Sequence, residues 1–91
     1  MSSTTQFTMA RVPKKLFKIG EVMRHTGLGR QTIHNYTVLG LITEEERTES
    51  GHRLYGEDVF DRLERIRELS KRHKIKEIID LFKQEEARGS A

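Results

Sequence analysis

Gln31, His34 and Asn35 can each donate and accept hydrogen bonds, and they recur three and four residues apart. On a helix, where successive residues turn by about 100°, these three and Val38 form one stripe, with Ile33 and Tyr36 on the opposite side. Such a stripe suits recognition: Gln and Asn amides pair bidentately with adenine in a major groove. Arg30 stands at the first turn, where unpaired helix amides favour an anion such as phosphate. On an arbitrary helix the same polar residues would simply be solvated. What favours contact here is the segment that precedes them.

Ile19, Val22 and Met23 are spaced for a short helix with one apolar side, and Thr26-Gly27 ends it. Leu28 re-enters the core, Gly29 frees the backbone for a change of direction, and a second helix is predicted over Arg30 to Leu39, with Ile33 and Tyr36 inward. Gly40 stops that helix and Leu41-Ile42 folds back. The pattern is a helix-turn-helix, which leaves the far face of the second helix free. Lys18 is a poor N-cap for the first helix, although Glu21 lies where its carboxylate can reach back.

Residues 43–55 change character. The acidic run Glu44-Glu45-Glu46 is followed by Arg47 and then by alternating His52-Arg-Leu-Tyr55, with a Ser50-Gly51 turn between. We read a small two-stranded hairpin, a wing, with His52 and Arg53 near its tip and suited to a phosphate or a minor groove. An exposed loop histidine is an equal reading of His52. The acidic run would repel phosphates and is expected to point away.

A third helix is predicted over 57–71 from Val59, Phe60, Leu63, Ile66 and Leu69, its arginines pairing along the helix with Glu64 and Glu68. A fourth, over 75–84, has Ile75, Ile78, Ile79 and Phe82 on one side. Lys71, Arg72 and Lys74 lie between the two, within reach of phosphates, as does Lys18 with the basic run before it. The domain division is therefore a flexible arm (1–15), a folded body (16–84) and a frayed tail (85–91).

Ninety-one residues suit one small domain. Hydrophobic and charged residues each make up 34%, leaving no room for a scaffold and a catalytic cavity together. The net charge of +3 leans toward a polyanionic partner. Cysteine is absent, which removes disulfides and thiolate zinc sites, and no histidine or carboxylate cluster has metal-ligand spacing. No cofactor is expected, and no run approaches the roughly 20 apolar residues of a membrane span. A cytoplasmic protein fits this composition, and a DNA-reading helix-turn-helix implies one that is nucleoid-associated.

Phe17-Lys-Ile-Gly-Glu21, Thr26-Gly27, Thr32-Ile33 with Tyr36, Leu39-Gly-Leu41 and above all Arg47-Thr-Glu-Ser-Gly-His-Arg-Leu-Tyr55 with Asp58-Val59 resemble the winged-helix DNA-binding domain of the MerR family. The resemblance covers about Leu16 to Phe82. It implies a mainly α winged helix-turn-helix whose second helix enters the major groove and whose wing arginine grips flanking backbone or minor groove. Thr32, Tyr36, Arg53 and Tyr55 stand on motif positions, with the Tyr36 ring in the core and its hydroxyl on a phosphate. Two departures imply altered sequence preference, His34-Asn35 in place of an Arg-aromatic pair and Thr37 in place of an acidic residue, and in a third Glu44 to Glu46 replaces a stretch often rich in proline and base. Members commonly continue into a long dimerisation helix and an effector region, so no sensor is expected in a sequence ending at Ala91.

The leading expectation is therefore a sequence-specific, double-stranded-DNA-binding transcription regulator, not an enzyme, acting as a homodimer or as side-by-side copies. The alternatives are an excisionase-like DNA-bending accessory and, less favoured, an adaptor for another regulatory protein.

Overall fold

The structure, a computed structural model, describes residues 15–89. Along the chain come β1 (Leu16–Lys18), α1 (Ile19–Thr26), α2 (Arg30–Val38), β2 (Glu46–Arg47), β3 (Arg53–Gly56), α3 (Asp58–Leu69) and α4 (Ile75–Gly89). The arm expected over residues 1–15 falls, except for Lys15, outside the described residues.

α1 begins on half of a capping box. The Glu21 carboxylate accepts the Lys18 amide hydrogen at 2.8 Å, but a lysine ammonium has no acceptor to return the bond. α4 starts the same way, with Lys74 donating its amide to Glu77 at 2.8 Å. At the other end of α1, Gly27 takes φ 78°, and its amide bonds Met23 O at 2.8 Å. Thr26 completes the turn: its hydroxyl donates to Val22 O and accepts the Leu28 amide. Gly40, at φ 80°, ends α2 and lets the Leu41 amide return to Tyr36 O at 2.9 Å, which drives Leu41 and Ile42 inward.

One core joins all layers. Val22 of α1, Ile33 of α2, Leu41 and Ile42, Tyr55 of β3, Val59, Leu63 and Ile66 of α3, and Ile78 and Phe82 of α4 are buried together. Burying each such aliphatic or Phe side chain contributes about 1.5 to 3 kcal/mol. Among the described residues no charged side chain enters this core.

The sheet is larger than the expected two-stranded wing. β3 is central, in the order β1-β3-β2, with Phe17 opposite Tyr55 and Arg47 opposite Arg53. Leu16 to Lys18 covers the edge of β3 that a simple hairpin would leave open. The C-terminal part also differs. α4 continues through Gly89, where a frayed tail was expected from Glu85 onward. Its last turns are held from outside, because Arg65 of α3 forms a two-pronged bridge with Glu85, and Arg62 lies 3.6 Å from Glu86. These arginines therefore pair across helices and not along α3 as expected, and Arg62 stacks on Phe82 with its guanidinium carbon 3.8 Å from the ring centroid.

Candidate nucleic-acid interface

α2 presents its polar stripe to solvent. Gln31 and Asn35 are exposed, His34 is half-buried, and Val38, at 66% exposure, ends the stripe with an apolar group. Gln31 Nε2 donates to Asn35 Oδ1 at 2.9 Å, so the two amides are already oriented relative to each other. Arg30 is exposed in the first turn, which carries no acidic residue, so nothing there offsets the positive helix end. Thr32 and Tyr36 are half-buried, and Tyr36 packs against the core.

The wing is bound to α2 at two points. Tyr55, fully buried, meets Thr37 through their hydroxyls at 2.9 Å. Thr37 spends its own proton on Ile33 O at 2.9 Å, so Tyr55 is the donor in that pair. Two residues earlier on the same strand, Arg53 Nη1 lies 3.1 Å from His34 Nδ1. Period-two alternation explains why both ties share one side of β3. Tyr55, a predicted DNA contact, is thus corrected to a wing-to-helix strut, because a side chain with no exposed surface cannot touch a duplex.

The acidic run does not simply turn away. Glu44 folds back between the wing arginines, accepting from Arg53 Nε at 2.7 Å and from Arg47 Nε. The hydrogen bond from Arg47, joined by that from Arg53, holds the Glu44 carboxyl below its ordinary value, and the same contact raises Arg47. Arg47 remains the more open arginine, its side chain 52% exposed against 27% for Arg53. At the tip, Thr48 closes the turn by accepting the His52 amide on its hydroxyl at 3.0 Å, and Ser50 meets His52 Nδ1 at 3.1 Å. His52 itself is exposed.

Lys18 is exposed at the start of α1. Lys71 and Lys74 are exposed beyond α3, and Lys71 lies 3.2 Å from Glu68. Arg67, one turn earlier, donates to Thr26 O at 2.7 Å, which sets this end of α3 against the turn that leads into α2. Arg30, Gln31, His34 and Asn35 thus share α2, Arg47, His52 and Arg53 share the wing joined to it, and Lys71 and Lys74 lie beyond the end of α3 docked near the α1–α2 turn. The sequence reading missed Glu44 and Thr37 as partners of this surface, since Thr37 meets Tyr55 18 residues on and Glu44, besides its neighbour Arg47, reaches Arg53 nine residues on.

A model of the MerR HTH family of regulatory proteins matches residues 17–85. The chain belongs to this family. It is 45% identical over 53 residues to the mercuric resistance operon regulatory protein of Bacillus cereus, covering 58% of this chain and 40% of that protein. It is 37% identical over 62 residues to nodulation protein NolA of Bradyrhizobium, covering 68% of this chain and 26% of that protein. The chain therefore spans well under half the length of these relatives. The fold is also that of a MerR-family transcriptional regulator from Bacillus cereus, with a TM-score of 0.67 at 23% identity over 75% of this chain and 52% of the other. The N-terminal part of the Bacillus subtilis multidrug transporter activator MtaN superposes similarly, with a TM-score of 0.68 at 24% identity over 72% of this chain and 63% of the other.

Proposed function

We propose that this MerR-family chain is the DNA-reading part of a transcription regulator, with α2 in the major groove and the wing on the flanking backbone. The observation that carries the reading is the double tie between wing and α2: His34–Arg53 and Thr37–Tyr55 make helix and hairpin one surface, with Gln31, His34 and Asn35 outward. Base edges fall to Gln31, His34 and Asn35. Arg30, Thr32, Tyr36, Lys18, His52, Lys71 and Lys74 take backbone positions, where contacts orient the protein without reading sequence.

Arg47 is the leading phosphate contact of the wing, since an exposed ion pair such as Arg47–Glu44 is weak enough to be exchanged for a phosphate. Arg53 keeps its tie to His34 and offers the duplex its remaining guanidinium hydrogens. One reading unit spans few base pairs, so two copies are needed for useful specificity, on a repeated site.

Selection of bound duplexes from a random pool tests this reading. A repeated motif is expected, and recovery of unrelated sequences only would overturn it. On a selected duplex, Arg47→Ala is expected to weaken binding to all sequences and to lower the salt slope by about 1; an unchanged slope would take the wing off the backbone.

A further inference from the structure

The base-reading face contains one ring whose hydrogen-bonding sense depends on where its proton sits. A neutral imidazole donates from one nitrogen and accepts on the other, so His34 can present either sense to a duplex. The protein removes that choice. Arg53 Nη1 is 3.1 Å from His34 Nδ1, and a guanidinium has no acceptor, so Nδ1 must accept and the ring proton must be on Nε2. Arg53 is itself held, its Nε donating to Glu44 Oε1 at 2.7 Å, with both side chains about three-quarters buried from water, at 27% and 24% exposure.

We propose that the Glu44–Arg53–His34 chain fixes His34 as a donor through Nε2, so that His34 selects an acceptor base edge, guanine foremost, and rejects cytosine. This rests on the DNA-reading function proposed above. In the major groove guanine offers two acceptors, N7 and O6. Thymine offers O4, adenine sets N7 beside a donor, and cytosine offers only its N4 donor. A ring locked as donor therefore meets no partner on cytosine and leaves two donors opposed. Arg53 and Glu44 act as positioning residues, touching the base only through His34. The neighbouring amides are oriented in a similar manner: Gln31 Nε2 donates to Asn35 Oδ1, so that oxygen is already engaged.

Nitrogen-15 NMR of the imidazoles in the full chain tests the placement without DNA. The wild type is expected to show a bare Nδ1 and a protonated Nε2 at His34. Arg53→Lys, which still donates, should keep that signature, and Arg53→Met should yield mixed tautomers in a chain whose other resonances remain folded. A proton on Nδ1 in the wild type, or a tautomer indifferent to Arg53→Met, overturns the proposal. Binding then tests selection on a duplex recovered from the random pool. One position should prefer guanine over cytosine by about tenfold, and His34→Ala and Arg53→Met should flatten that preference while Arg53→Lys keeps it. Specific binding in which every position ignores His34→Ala overturns the selection. If no duplex is recovered, the proposed function fails and the selection with it, while the tautomer measurement still decides the role of Arg53.

Discussion

On α3, Arg62 and Arg65 extend over the ring of Phe82, with guanidinium carbons 3.8 and 5.1 Å from its centroid, whereas in the wing Arg53 ends on the Glu44 carboxylate and the His34 imidazole. The chemistry of the side chain is the same in both places, but the anchoring is not. Stacked on a buried ring, the guanidinium groups add packing that water cannot replace, so that region governs stability. Held by hydrogen bonds to polar groups at the rim of the fold, with no core ring beneath it, Arg53 sets the direction of other groups and contributes less to stability. Each region should therefore fail in its own way.

Phe82→Ala is expected to have the largest effect, about 3 to 5 kcal/mol in urea unfolding, because it empties a core site and leaves two guanidinium groups without their platform. A loss under about 1 kcal/mol would mean that α4 is not part of the core. Arg62→Ala should cost about 1 to 3 kcal/mol, since Arg62 Nε also serves Leu41 O at 2.8 Å, and the folded fraction should keep its sequence preference. An altered preference would break the contrast. Asn35→Ala should do the reverse. Its melting temperature should barely move, and discrimination at one or two base pairs should fall by about 1 to 3 kcal/mol; equal loss on every sequence would reassign Asn35 to the backbone.

The smallest effect is electrostatic. The hydrogen bond from Arg65 holds the Glu85 carboxyl below its ordinary value of 4.5, so the folded protein binds fewer protons there than the unfolded chain. The stabilisation is complete above that ordinary value and fades as pH falls through the lowered range. The urea midpoint of Glu85→Gln should accordingly lie slightly below that of the wild type at neutral pH, and the gap should close in acid. A gap that widened in acid would show that Glu85 is held in another way.

The contrast also explains what could be read from the sequence. α1, α2 and α3 were legible because their apolar residues recur at three and four, and the ends of α1 and α2 because Gly27 and Gly40 both take positive φ. The wing was legible from alternation around Ser50-Gly51. β1 was not, because three residues, Leu16 to Lys18, are too few to show a period, and they become a strand only through β3. The last turns of α4 were missed for a related reason: the stretch from Glu85 onward is polar and small, and its anchor, Arg65, lies 20 residues away. At the interface, helical geometry placed Gln31, His34 and Asn35 on one face. The inward turn of Tyr55 and the return of Glu44 to Arg53 depend on partners 18 and 9 residues distant, which no local pattern reports.

The hairpin ladder ends at the pair Arg47 and Arg53, and beyond it Thr48 and His52 close on each other, with the Thr48 amide 2.9 Å from His52 O. The tip therefore lies outside the contact between the Tyr55 and Thr37 hydroxyls, and a loop exchanged between Thr48 and His52 is expected to leave that strut in place, as an unchanged melting temperature would show. Under the function proposed above, the tip would then set the reach along a duplex while α2 sets the base preference.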